Sequence, residues 1–212
     1  MTTKALKTLL ILLCLAQTIA AQTYLKGDCT PLRDADLLFY SPADNNAITE
    51  VTSGFKGRKI DHVAVFLRIG GMPYTLEATH RGVILQPMDS TEARHRRRGE
   101  QVYVGRVKRN LAIQASLYHA LQHLGKPYDF FFEPDDSAIY CSELIQKSYR
   151  DKNGKPIFAP IPMSFHNQQG QITKYWKDHY KKAGHQVPEG APGSNPGQLS
   201  NDQRTTILYR LF

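Results

Sequence analysis

The stretch Asp61-His62-Val63-Ala64-Val65-Phe66-Leu67-Arg68-Ile69-Gly70-Gly71-Met72-Pro73-Tyr74-Thr75-Leu76-Glu77-Ala78-Thr79 reads as two strands joined by a tight turn. Residues 60–69 are rich in β-branched and aromatic side chains, the pattern of a strand buried on both faces. Gly70-Gly71 is a two-residue hairpin signal, and residues 74–79 form the return strand. If the two glycines are the loop, Ile69 pairs with Met72, Ala64 with Glu77 and His62 with Thr79. His62 and Glu77 then share one face as diagonal neighbours roughly 7 Å apart at Cβ, close enough for a carboxylate to reach an imidazole. A slip of one residue would send Glu77 to the other face.

The chain around this hairpin reads as α+β. Short strands are expected at 36–40, 82–88 and 101–107, with a last one near 205–211. A short helical pattern at 47–51 ends at Gly54. A basic helix is expected at 90–98, one at 111–124 capped by Asn110 and closed by Gly125, and one at 173–182. The run Tyr140-Cys141-Ser142-Glu143-Leu144 opens a further helix. It places Cys141, Leu144, Ile145, Ser148 and Tyr149 on one inward face and stops at Asn153-Gly154. The segment at about 186–200, with Pro188, Pro192 and Pro196, reads as an extended surface arm.

Cys141 therefore sits in the first turn of a helix. Unpaired N–H groups and a partial positive charge lie there, and both favour a thiolate. With His62 as base and Glu77 as its orienting acid, the three residues are the parts of a cysteine hydrolase. Each has a plainer reading. Cys141 could be a small core residue or half of a disulfide, His62 an edge histidine, and Glu77 a surface acid. An unpaired carboxylate inside an apolar strand costs several kcal/mol, which argues for a partner. Glu143, in the first helical turn, reads as an acid complementing the helix dipole, and Asp61 and His80 are competing polar neighbours. Tyr128, in Gly125-Lys126-Pro127-Tyr128-Asp129, is a candidate substrate contact. His119 and His123 have i, i+4 spacing, but with no HExxH and no third ligand no metal is expected, and no cofactor.

The first residues read as an export leader. Lys4 and Lys7 precede an apolar run from Leu9 to Ala16, and small residues follow at Thr18, Ala20 and Ala21. The run is shorter than the ~18 residues of a membrane span. Cys14 follows Leu13, which does not suit a lipoprotein anchor. The expected organisation is a signal peptide at 1–21 and one hydrolase domain at 22–212, in a periplasmic or secreted location. The formal charge of +8 falls to +6 without Lys4 and Lys7. Such a basic exported chain is expected to meet anionic envelope polymers or lipid headgroups, not nucleic acid. The run Arg94-His95-Arg96-Arg97-Arg98 reads as a solvated helix end. Cys29 and Cys141 remain after cleavage and could pair in an oxidising compartment.

Seven motifs in order carry a resemblance: Asp36-Leu37-Leu38-Phe39, Asp61 to Val65, Leu76-Glu77-Ala78, Gly82-Val83, Val104-Gly105-Arg106, Gly125 to Asp129 and Tyr140 to Leu144. In these the chain resembles the YiiX-like permuted papain-like cysteine amidases, related to the NlpC hydrolases of bacterial cell walls. The resemblance runs from about Asp36 to the end. It implies an antiparallel sheet or small barrel packed against the cysteine helix, with the histidine strand preceding that helix. It also implies Cys141, His62 and Glu77 as the catalytic set. The implied reaction is hydrolysis or transfer at an amide or ester, with peptidoglycan-derived stem peptides as the substrate class. Related permuted acyltransferases keep a lipid acyltransferase or thioesterase as an alternative. A non-catalytic envelope peptide-binding module is a third reading, and a monomer or small homo-oligomer is expected.

Overall fold

The hairpin forms with the register that its turn requires. In the computed structural model, which describes residues 32–108 and 110–212, β2 (His62–Ile69) and β3 (Met72–Thr79) are antiparallel. Ile69 lies opposite Met72 and Val65 opposite Leu76. Gly70 and Gly71 have φ of 58° and 83°. Both values lie in the left-handed region that a two-residue hairpin turn demands and that residues with a Cβ resist. β1 (Leu37–Ser41) joins β2, β4 (Gly82–Pro87) joins β3, and β5 (Gln101–Val107) joins β1. β8 (Thr205–Arg210) completes the order β4-β3-β2-β1-β5-β8. The sheet is open. The expected alternative of a small barrel is not realised, because β4 and β8 are edges that do not pair with each other.

The two faces of the sheet have different cover. Val63, Val65, Leu67, Leu76 and Ala78 share a buried cluster with Leu144 and Ile145 of the helix Cys141–Ser148 and with Leu117 and Ala120 of the helix Ile113–Leu121. Burying each of these leucines and isoleucines is worth about 2 kcal/mol. The two-residue period of a strand sends His62 and Glu77 to the opposite face. There the helix Met88–Arg97 packs on β3 and β4, and the Thr75 and Thr91 hydroxyls meet at 2.6 Å. A second cluster of Met163, Phe165, Trp176 and Tyr180 packs against Ile48, Val51 and Phe132. It ties the helix Lys174–Ala183 to the short helix Ala47–Val51.

Several local expectations change. Asn110 sits at φ 58° and does not cap the next helix, which starts at Ile113 and ends at Leu121, before His123. The cysteine helix stops at Ser148, because Tyr149 is already extended. Asn153-Gly154 instead turns a small loop whose stems meet at the Arg150–Pro156 bridge. The Pro/Gly-rich arm lies at the surface over residues 186–192, as expected, but its second half is part of the interior. Pro192–Gly193 forms β7, paired with β6 (Ile161–Pro162), and Gly193, Ser194, Pro196 and Leu199 are buried. Proline pre-sets the backbone without demanding exposure, which is why composition alone misleads there. Among the described residues no helix is long and apolar enough to cross a membrane. The expected leader and Cys29 lie outside the described residues.

Candidate active site

Cys141 is the first residue of its helix, and Tyr140, with extended φ and ψ, precedes it as the N-cap. The helix begins here because Glu143 reaches back to accept the Tyr140 N–H at 3.4 Å, satisfying a donor that a helix start leaves unpaired. Glu143 is buried and pairs with Lys147 at 2.7 Å. Burial pushes its carboxyl up to about 7 against the opposing effect of Lys147. Its work is therefore more than complementing the dipole. Cys141 is buried and has no disulfide partner among the described residues.

His62 lies at the start of β2, where the sheet ends against the N-terminus of the cysteine helix. Its Nε2 is 2.7 Å from Glu77 Oε2. That leaves Nδ1 free of Glu77, and the Cys141 side chain adjoins the ring. Burial alone would lower the His62 pKa, but the hydrogen bonds and negative charge of Cys141 and Glu77 outweigh it and raise the value to about 10. The ring is thereby held as an imidazolium beside Cys141.

Glu77 is fully buried yet ionised. Burial pushes its carboxyl up, but His62 and Arg94 together hold it down at about 2. Arg94 Nη2 donates to Glu77 Oε1 at 2.6 Å, and Gln86 Nε2 donates to the same oxygen. The basic run at 94–98 is therefore not simply a solvated helix end. Arg94 points inward to Glu77, and His95 is buried and paired with Glu100, while Arg96, Arg97 and Arg98 are exposed. The signal was present in the spacing. Met88, Thr91 and His95 are the buried positions of that helix, an i, i+3, i+7 face. Gln86 is the other residue the sequence did not flag. It lies opposite Thr75, diagonal to Glu77 on the same face.

Tyr128 lies beside Cys141, and both line the same cavity. Burial first, and the neighbouring Cys141 second, keep its phenol far above its ordinary value, so it stays a donor. A cavity of about 50 Å³ opens at Cys141, walled by Ile48, Val51, Phe132, Met163 and Trp176. Ser142 and Ser194 also line it, and their buried hydroxyls have no hydrogen-bond partner among the described residues. Phe132, another wall, holds φ 53°, a strained value for a bulky residue and the kind of outlier that clusters at functional sites. The arm closes this cavity. The Tyr140 hydroxyl accepts the Ser194 N–H at 3.0 Å. A second cavity of about 320 Å³ lies on the His62 side, and a groove of about 420 Å³ runs past Phe130, Tyr175 and His179. Tyr128 lines all three.

The structure thus brings Cys141, His62, Glu77 and Tyr128 together. Asp61 lies between the two cavities with its carboxylate bound by Asn46 Nδ2 at 2.6 Å. Burial raises its pKa. His119 lies on its own helix and His123 beyond that helix's end. Among the described residues no group of three or more His, Cys, Asp or Glu side chains is placed to hold a metal ion.

A family model described as permuted papain-like amidase enzyme, YaeF/YiiX, C92 family, matches residues 33–209. The uncharacterized protein YiiX of Escherichia coli (strain K12) is 34% identical over 125 residues, 57% of this chain and 60% of that protein. The match thus spans about three fifths of that relative's length. A crystal structure described as metalloprotein yiiX from Escherichia coli O157:H7 aligns with a TM-score of 0.67 at 23% identity. It covers 84% of this chain and 97% of the other. At that identity the likeness speaks to the fold.

Proposed function

The chain belongs to the permuted papain-like amidases of the C92 family, and from that premise we propose that it is an exported cysteine amidase acting on a cell-wall peptide. Cys141 Sγ, as thiolate, adds to the amide carbonyl carbon. The His62 imidazolium gives its proton to the amine nitrogen as the C–N bond breaks, leaving an acyl thioester. Neutral His62 then takes a proton from water, the hydroxide adds to the thioester carbonyl, and the C–S bond breaks to release the acid. Glu77 fixes the ring through Nε2 and stabilises its positive charge. The Cys141 backbone N–H and the Tyr128 hydroxyl are the proposed donors to the oxyanion.

The observation that carries this reading is the connected set Cys141–His62–Glu77, with Arg94 behind it, at the mouth of a cavity. The leader pattern at 1–21 supports export. The amidase family to which the chain belongs favours a peptide amide over a lipid ester. The solved relative is described as a metalloprotein. The described residues here do not assemble such a ligand set, and no step above runs through a metal.

The test is mass spectrometry of peptidoglycan-derived stem peptides incubated with the mature protein, beside a panel of lipid esters. Cleavage of a peptide amide is expected, abolished in Cys141→Ala and reduced by at least a hundredfold in His62→Ala. Full activity of Cys141→Ala on a verified substrate would refute the mechanism. Turnover of lipid esters alone would replace the peptide reading.

A further inference from the structure

The scissile bond divides the site in a way that sets the chemistry of the leaving group. Cys141 lines the small apolar-walled cavity, His62 lines the 320 Å³ cavity, and Tyr128 stands between them. In the reaction proposed above, on which this inference rests, the acyl group stays on Cys141. The amine departs from the side of the imidazole that protonates it. What the 320 Å³ cavity offers is therefore what the amine must match.

The carboxylates of that cavity are already engaged. Glu77 is held by His62 and Arg94, Glu100 by His95, and Asp61 by Asn46. Arg94 is spent on Glu77. The remaining polar lining is basic. His80 and Arg81, on the turn between β3 and β4, have no ion-pair partner among the described residues, and Arg98, 58% exposed, holds a long ion pair with Glu100 at 3.8 Å that water screens. Arg81 is steadied by its backbone N–H, which donates to Thr79 Oγ1 at 3.2 Å. Three basic side chains thus come from two elements, the turn and the end of the helix Met88–Arg97. They face one cavity whose carboxylates each already hold a hydrogen-bond or ion-pair partner.

We infer that His80, Arg81 and Arg98 form an anion subsite on the leaving-group side, so that the amine released by this protein carries a carboxylate or a phosphate. A guanidinium presents a planar fork of donors that fits either group. The cavity is large enough for an amino acid or an aminoalkyl phosphate. A carboxylate source would be an amino acid or the C-terminal residue of a peptide. A phosphate source would be a headgroup such as phosphoethanolamine.

The experiment measures protection of Cys141 from iodoacetamide, a neutral reagent, by three amines: alanine, alaninamide and O-phosphoethanolamine. Rates with and without ligand are compared within each variant. Saturable protection is expected from alanine or from O-phosphoethanolamine and not from alaninamide. The double variant Arg81→Ala/Arg98→Ala should raise the half-protecting concentration at least tenfold, as loss of a charge-assisted contact does. Protection by alanine alone assigns a carboxylate-bearing leaving group. Protection by the phosphate alone assigns the headgroup class, and protection by both means that the subsite reads charge. Equal protection by alaninamide, protection unchanged in the double variant, or none from either anion overturns the subsite. Ligand-free alkylation in His62→Ala separates the two failures. A thiol whose reactivity does not depend on His62 defeats the catalytic reading, whereas a His62-dependent thiol without anion protection defeats only the subsite.

Discussion

Replacing Arg94 with Ala is expected to destabilise the fold by about 2 kcal/mol at neutral pH and to move its acid limb upward. Glu77 is 0% exposed, and its carboxyl, ordinarily near 4.5, is held at about 2. That difference corresponds to roughly 3 kcal/mol, since one pKa unit is worth about 1.4. The contribution has a definite sign. A depressed carboxyl stabilises fully above its unfolded value, and the gain is lost as pH falls from about 4.5 toward about 2. Arg94 supplies part of that gain, with His62 the larger contributor. Breaking a fully buried pair costs about 3–5 kcal/mol. Arg94 is 22% exposed, so water can partly replace it, which lowers the expectation to about 2 kcal/mol. For a domain of this size that is a fall in Tm of about 4–8 °C. Urea titrations at pH 7 and pH 4 measure both effects, and Arg94→Lys should recover part of the loss, because an ammonium restores charge without the fork. If Arg94→Ala changes stability by less than about 0.5 kcal/mol and leaves the acid limb in place, Arg94 is only a surface residue and its assigned role is wrong.

Tyr128→Phe should lower kcat about 10- to 100-fold, because it removes a donor beside Cys141. It should also slow iodoacetamide alkylation of Cys141 near neutral pH, and unchanged values for both would remove Tyr128 from the mechanism. Gly193→Ala is expected to cost about 1–3 kcal/mol, since its Cβ would stand 2.4 Å from Met163 Sδ and 2.9 Å from the Tyr140 hydroxyl. A stability within error of the parent in thermal melts would mean that the arm yields freely. The His62 contribution runs opposite to that of Glu77. It is complete below about pH 6.5 and is lost as pH rises toward about 10, so His62→Ala should flatten the alkaline limb of the stability curve.

The sequence made the centre of the site legible because its geometry is local. A two-glycine turn fixes the pairing of β2 with β3, the pairing fixes the face of His62 relative to Glu77, and the period of two leaves no freedom after that. The placement of Cys141 at a helix start was equally readable, from the inward face it shares with Leu144, Ile145, Ser148 and Tyr149 and from the acid Glu143 in the same first turn. What was not legible came from elements far apart in the chain. Arg94 meets Glu77 across 17 residues, and Ser194 reaches Tyr140 across 54. In each case the local pattern favoured a plainer reading, a charge run for the first and a proline-rich arm for the second. A buried carboxylate supplies the rule that would have found Arg94. Glu77 had to be ionised to orient His62, one imidazole is a weak match for a dehydrated carboxylate, and its free oxygen required a cation from whatever element covered that face. The first basic helix to follow the hairpin was the one ending in Arg94 to Arg98. The same reasoning distinguishes the two kinds of arginine in that run. Arg94, which answers a buried charge, belongs to the scaffold of the site, whereas Arg98, held only by a long exposed pair with Glu100, and Arg81 are the residues proposed to answer a charge that arrives with the substrate.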